Sequence, residues 1–207
     1  MRIIKEAFEK KEIGTLPVAS FEGRIIVVQS EAEADKAVRY LLSQHILGID
    51  TETRPSFKKG RLHQVALLQV ATEDTCFLFR LNMTGITDSI KQLLEDCSVI
   101  KVGLSLKDDM HQLSLRTDFT PGMFVELQKE VREIGIKDMS LQKIYANLFG
   151  RKISKGQQLS NWEADTLTPQ QKSYAATDAW ACIMIYNELK KLKQNGDFML
   201  VKEEEEM

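Results

Sequence analysis

The sequence predicts an α/β domain: a mixed β-sheet with helices on both faces. Three observations lead there. Short apolar, β-branched runs crowd the first half of the chain, and two of them are joined by a turn of only three residues; strands joined so tightly run antiparallel. Farther along, runs with strand period and runs with helix period alternate, as crossover units do. The length of 207 residues and an apolar fraction of 43% suffice for one domain with a sizeable core.

Residues 1–12 are charged and read as a helical lead, which Thr15-Leu16-Pro17 breaks. Arg24-Ile25-Ile26-Val27-Val28 is a strand by its β-branched content. Ser30, with Glu33 three residues on, forms a capping-box pattern, and Ala34, Ala37, Val38, Leu41 and Leu42 recur behind it at helical spacing. Three strands are expected next, Leu47-Gly48-Ile49-Asp50-Thr51-Glu52, residues 64–71 and residues 75–81, with Thr72-Glu73-Asp74 turning between the last two. Helices are expected over residues 86–95 and 105–115, and strands over 99–103 and 123–125. From Glu126 onward the chain reads as helical, with breaks at Gly135, Gly150 and Gly156. Thr168-Pro169 opens the last long helix, Thr168 as N-cap and Pro169 at the first helical position, and the helix runs to about Leu192. The charge run Lys202-Glu203-Glu204-Glu205-Glu206 is expected to be solvated and mobile.

A net charge of −2 argues against coating nucleic acid by bulk electrostatics. It leaves room for an enzyme with local Lys and Arg around an acidic site. Cys76, Cys97 and Cys182 are scattered without a CxxC pair or a partner His, and read as buried or half-buried thiols of a reducing compartment. No apolar run reaches the roughly 20 residues of a membrane span, and no apolar segment follows Arg2 and Lys5 as in a signal peptide. A cytoplasmic protein without a membrane partner is expected. There is no internal repeat, and Gly103 stands alone where a phosphate loop would need several glycines.

Chemistry concentrates in the acids. Asp50 and Glu52 are two apart on a strand, so their side chains share a face. Two like charges side by side require a positive partner, either a divalent metal or a pair of basic side chains. Tyr174 and Asp178 are four apart in the last helix and share a helix face, and Ala175, Ala176, Ala179 and Ala181 let that helix approach another element closely. The competing reading is a surface Asp beside a core Tyr. Asp108 and Asp109 begin a helix, where acids also serve simply as dipole partners. Taken together, four carboxylates suit two divalent ions about 3.5–4 Å apart. A tyrosine one turn from a carboxylate can orient or deprotonate an attacking water.

In order, Asp50-Thr51-Glu52, then Val102-Gly103-Leu104-Ser105-Leu106-Lys107-Asp108-Asp109, then Tyr174-Ala175-Ala176-Thr177-Asp178 resemble the signature of the DEDDy branch of 3′→5′ exonucleases. Leu159-Ser160-Asn161-Trp162-Glu163, Leu167-Thr168 and the stretch from Gln171 to Ala179 resemble the Werner-type exonuclease domains almost residue for residue. Ribonuclease D and the proofreading domain of DNA polymerase I are more distant. The similarity extends from about Val27 to Leu189.

The resemblance implies a ribonuclease H-like fold. It also implies hydrolysis of nucleic-acid 3′ ends, single-stranded or recessed, to nucleoside 5′-monophosphates with two divalent ions, Mg²⁺ or Mn²⁺. DNA is the favoured strand; a ribonuclease D-like exoribonuclease and a silent nucleic-acid-binding module are the alternatives. Carried over by position, Asp50 bridges both ions, and Glu52 and Asp178 complete the site of the ion that activates water. Asp109, chosen over Asp108 by the alignment, serves the second ion, and Tyr174 positions the nucleophile. Glu126 stands where many relatives have Asp, with no catalytic effect expected. The implied organisation is a lead segment over 1–22, an exonuclease domain over 23–195 and an acidic tail over 196–207.

Substrate contacts are expected from Thr51 and from the loop after the first acidic strand, with Lys58, Lys59, Arg61 and His63; a solvated turn is the alternative for that loop. Arg151, Lys152 and Lys155 lie in a Gly-flanked loop before the last helix and are expected to face the strand. Trp162 either stacks a base or packs under a helix, the second being the commoner arrangement.

Overall fold

The computed structural model describes residues 1–56, 60 and 62–202. Lys58, Lys59, Arg61 and the acidic residues 203–206 lie outside the described residues. The chain runs β1 (Arg2–Lys5), α1 (Lys10–Ile13), β2 (Val18–Ala19), β3 (Arg24–Val28), α2 (Glu31–Leu41), β4 (Ile46–Thr53), β5 (Val65–Ala71) and β6 (Thr75–Arg80). It continues through α3 (Leu81–Thr84), α4 (Asp88–Glu95), β7 (Ile100–Gly103), α5 (Leu106–Ser114), β8 (Phe124–Glu126), α6 (Leu127–Glu133), α7 (Leu141–Phe149), β9 (Lys152–Ile153), α8 (Pro169–Asn195) and β10 (Phe198–Val201).

Six strands form the central sheet in the order β3-β6-β5-β4-β7-β8. The middle pairs β6–β5 and β5–β4 are antiparallel, while β3–β6, β4–β7 and β7–β8 are parallel. The mixed sheet expected from the sequence is therefore present, and so are its two helical layers. On one face Leu47, Ile49, Leu68, Val70, Phe77 and Phe79 pack with α2, α4 and α5 through Val38, Leu41, Ile90, Leu93 and Leu113. On the other, Leu67, Ala71 and Leu78 pack with α8 through Ala175, Ala176, Ala179 and Ile183, while α6 and α7 cover the β7 side. The sheet is dry on both sides, which is why β5 and β6 are buried at every residue instead of alternating.

Local signals hold at the helix starts. Ser30 and Glu33 form a reciprocal capping box on α2, and Thr168 and Gln171 do the same on α8, with Pro169 at the first helical position.

Three expectations need correction. Residues 1–12 do not form a helical lead: β1 pairs in parallel with β10, Ile3↔Met199 and Ile4↔Leu200, and only Lys10–Ile13 is helical. Ile4 is fully buried while Ile3 is 64% exposed, the two-residue alternation of a strand. The hydrogen bonds of β1 come from the opposite end of the chain, beyond any local window. By the same pairing residues 198–201 are a strand and not part of a solvated tail. After Glu126 the helical reading holds only for α6 and α7; the chain from Lys152 to Thr168 is a short strand and turns.

Candidate active site

The direction of the chain changes at β4 and β7. From β4 it turns to β5 on one side, and from β7 to β8 on the other. The crevice beyond the carboxyl ends of strands at such a switch point is where open α/β sheets bind ligands. Leu47 and Ile49 of β4 enter one core, so Gly48, Asp50 and Glu52 face α8.

Gly48 makes the approach of α8 possible. A Cβ at residue 48 would lie 1.9 Å from the carbonyl oxygen of Ala179, a distance no side chain tolerates. Glycine on the strand and alanines on the helix thus bring two backbones together and set Asp178, next to Ala179, beside Asp50. Carboxylate oxygens of Asp50, Glu52 and Asp178 lie within 4.8 Å of one another.

Asp109 reaches the same place from α5. Its carboxylate accepts a 2.5 Å hydrogen bond from the Thr51 hydroxyl. The start of α5 is held from an unexpected quarter. Ser105 adopts a left-handed conformation (φ 62°) and provides no side-chain cap. Instead the backbone N–H groups of Ser105 and Leu106 donate to the Glu126 carboxylate at 3.0 and 2.8 Å. Glu126 therefore anchors the helix that carries Asp109.

The electrostatics show four acids crowded without enough positive charge. Burial, then Asp178, Asp109 and Glu52, hold the Asp50 carboxyl well above the usual range. Burial, then Asp178 and Asp109, push Glu52 up to about 8. Burial lifts Asp178 to about 7 against opposing effects of the Tyr174 hydroxyl, which donates to it, and of Lys155. Burial lifts Asp109 to about 6, although the Thr51 hydrogen bond lowers it. Tyr174 is itself raised, by burial and then by Asp178 and Glu52. A divalent cation answers this shortage, and a donor set made of hard carboxylate oxygens suits it; the acids present fit a metal of that kind.

Asp50, Glu52 and Asp178 open into a cavity of about 410 Å³, whose lining also includes Thr51, Ser105, Met139, Ser154, Lys155 and Tyr174, while Asp109 stands beside it, bonded to Thr51. An apolar cavity of equal size adjoins it, sharing Ser154 and Tyr174. Asp50, Glu52, Asp109, Tyr174 and Asp178 are brought together, with Thr51 and Lys155 beside them. His63 and Lys152 are not brought to the cavity. The His63 ring meets Glu163 at 2.7 Å, where Arg54 also binds at 3.2 Å. The Lys152 ammonium donates to the Gly14 carbonyl. Trp162 is fully buried beneath Tyr174, ring centroids 6.1 Å apart, so it packs and does not stack a base. Cys76 and Cys182 are buried thiols as expected, but Cys97 is exposed.

The parts played by Gly48 and Glu163 were not foreseen from the sequence, and Glu126, noted there only as a substitution without catalytic effect, turns out to hold the start of α5. Gly48 left a readable sign, a glycine two residues before the first acid where a strand interior disfavours it.

A mixed sheet with a carboxylate cluster at its switch point and a tyrosine bonded to one carboxylate defines the metal-dependent nucleases of ribonuclease H-like fold. The comparison with known proteins narrows the class. Residues 25–194 match the model of a 3′–5′ exonuclease family, and the chain belongs to that family of metal-dependent hydrolases. It is 31% identical over 204 residues to the bifunctional 3′–5′ exonuclease/ATP-dependent helicase WRN of Mus musculus, covering 93% of this chain but 14% of that protein. It is 30% identical over 196 residues to a 3′–5′ exonuclease of Arabidopsis thaliana, covering 85% of this chain and 67% of the relative. Among solved structures, the exonuclease domain of Aedes aegypti Nibbler superposes with a TM-score of 0.78 at 19% identity, over 87% of this chain and 95% of that one. Escherichia coli RNase D superposes with a TM-score of 0.73 at 18% identity, over 84% and 45%. These superpositions show the fold. No helix among the described residues is long and apolar enough to cross a membrane.

Proposed function

We propose that this chain removes nucleoside 5′-monophosphates one at a time from a free nucleic-acid 3′ end, single-stranded or recessed, with two divalent ions, Mg²⁺ or Mn²⁺. The observation that carries the proposal is the meeting of Asp50, Glu52 and Asp178 within 4.8 Å, with the Tyr174 hydroxyl bonded to Asp178. Asp50, Glu52 and Asp178 would hold one ion, and Asp50 with Asp109 the other. When bound, such ions neutralise charge building on the phosphate and acidify the attacking water.

The residues of the chain divide the remaining work. Tyr174 is kept protonated by burial and by its acidic neighbours. Its hydroxyl, bonded to Asp178, is placed to orient the attacking water. Lys155, in the cavity wall, supplies the positive charge that draws the terminal phosphodiester in. The Thr51 hydroxyl fixes the Asp109 carboxylate in one rotamer. In the reaction the water oxygen bonds to phosphorus, and the bond from phosphorus to the 3′ oxygen of the preceding nucleotide breaks. The attacking water gives up a proton to solvent as its bond to phosphorus forms, and the departing 3′ oxygen takes one from solvent.

DNA is taken as the favoured strand from the Werner-type resemblance of residues 159–179. RNA is the alternative because Escherichia coli RNase D shares the fold. The reading takes residues 23–195 as the exonuclease unit, and a reducing, cytoplasmic setting in keeping with free Cys76, Cys97 and Cys182.

The test uses end-labelled DNA and RNA, single-stranded and recessed, with Mg²⁺, Mn²⁺ or chelator. Mononucleotides should appear in sequence from the 3′ end with either ion and vanish with chelator. Full turnover in excess chelator, or degradation of circular strands, would overturn the proposal.

A further inference from the structure

Gln69 lies in the middle of β5 and is fully buried, yet neither its Nε2 nor its Oε1 has a hydrogen-bond partner. A buried amide left unpaired costs about 1–3 kcal/mol for each orphaned group. The sheet register states what surrounds it. In the antiparallel ladders Gln69 is directly opposite Asp50 on one side and Leu78 on the other. Residues paired in this way share a face, with Cβ atoms about 4.5–5.5 Å apart. Leu67 and Ala71, two residues to either side on β5, point the same way. They pack with Leu78 and with Ala175, Ala176 and Ala179 of α8, all apolar. On this face the buried Nε of Arg80 and Nε1 of Trp162 are donors that also lack partners, so an acceptor for the Gln69 Nε2 comes from the carboxylates of β4: Asp50 directly opposite, and Glu52 one diagonal place away.

Gln69 does not line the active-site cavity, so it stands behind Asp50, on the side away from substrate. The chemistry of an amide suits that place. A Lys or Arg there would neutralise Asp50 and compete with a divalent cation for its charge. An apolar side chain would leave the inner lone pairs of a buried carboxylate bare, which is costly once the group ionises. An amide donates without adding charge.

We propose that Gln69 is a positioning residue for Asp50: its Nε2 donates to the inner side of the ionised Asp50 carboxylate and fixes the direction of the outer oxygens toward a divalent cation. The inference rests on the two-ion reading above. Partners that orient a metal ligand from behind alter metal affinity by about 10–100-fold.

The experiment compares the whole chain with Q69M, which keeps length and volume and removes the amide. Thermal melting is followed in chelator and through Mg²⁺ and Mn²⁺ titrations, alongside the Mn²⁺ concentration for half-maximal exonuclease activity. In chelator Q69M should melt no lower than the parent, because an unpaired buried amide has been replaced by an apolar group. Its metal-induced rise in melting temperature should shrink, and its Mn²⁺ midpoint should move up by about 10–100-fold. A packing role alone would lower the melt in chelator and leave the metal midpoint unchanged, and that result would overturn the proposal. Should Q69M not fold, the parent protein decides the matter by NMR: the assigned Gln69 side-chain amide resonances should shift on Mg²⁺ addition, and unmoved resonances in a metal-responsive parent would overturn it. D50N separates this inference from the one beneath it. A parent that shows no metal response at all, and melts like D50N at every metal concentration, defeats the two-ion reading. A responsive parent matched by an equally responsive Q69M defeats only the role given to Gln69.

Discussion

Raising the pH of the metal-free protein should destabilise it, against the usual behaviour of paired carboxylates. Burial first, and mutual repulsion after it, lift Glu52 from 4.5 to about 8, Asp178 from 3.8 to about 7 and Asp109 from 3.8 to about 6. In the unfolded chain these groups lose their protons near pH 4; in the fold they keep them to higher pH. Between about pH 4 and 8 the folded state binds more protons, so stability is fully present at the acid end and is lost as pH rises through the folded values. At about 1.4 kcal/mol per unit of separation, Glu52 alone should remove roughly 3 kcal/mol between pH 5.5 and 8. For a chain of this size that is a fall of roughly 6–12 °C in melting temperature. Glu33, Asp96, Glu133 and Glu163, whose values are lowered, do not oppose the trend, because they have finished titrating below this window. The assay is a melting series in chelator from pH 5.5 to 8, repeated with Mg²⁺. Metal holds the carboxylates ionised and should abolish the slope, and Glu52→Gln should flatten it in chelator. A melting temperature that stays level or rises with pH in chelator would refute the crowded-acid argument.

Tyr174→Phe keeps the ring that packs on Trp162 and removes only the hydroxyl; kcat should fall about 10²-fold with metal binding little changed, read from single-turnover rates and a metal titration. Asp50→Ala or Asp178→Ala should cost at least about 10²–10³ in rate. Either variant should melt no lower than the parent in chelator, since like charges are removed; near-normal turnover would move the site elsewhere. Gly48→Ala forces β4 and α8 apart and should cost about 1–3 kcal/mol by denaturant melting, with activity falling further than stability. Glu163→Gln removes the charge shared by Arg54 and His63. With that pairing gone Arg54 and His63 are less firmly held, and KM for oligonucleotides should rise while kcat stays near the parent value, read from steady-state kinetics.

The sequence made some of this legible because the signals were local. Asp50 and Glu52 share a face by strand alternation alone, and Ser30 and Thr168 announce their helices through side chains three residues away. Asp178 was readable as one acid of a set only through the order of the motifs, since nothing within α8 says which sheet residue it meets. What escaped depends on partners distant in sequence. Glu126 caps α5 from another strand, and β1 is a strand only because β10 lies beside it. His63 was expected at the substrate, but a carboxylate far along the chain, on Glu163, takes it up. The alternation of Arg2-Ile3-Ile4-Lys5 was present in the sequence, yet in so short a run charge and helical composition outweighed it.

The β1–β10 ribbon has a consequence for the order of folding. During synthesis Arg2–Lys5 emerges ahead of the central sheet, and β10, the strand that satisfies its backbone, emerges only after the sheet and α8. Contacts so far apart in sequence form late, because the loop between them must first be organised. The sheet and α8 can assemble before the ribbon closes, leaving β1 to dock as a final latch with Ile4 as its buried tooth. Native-state hydrogen exchange should then find the amides of Ile3 and Ile4 opening at lower free energy than those of β5, so that the last contact made is also the first released.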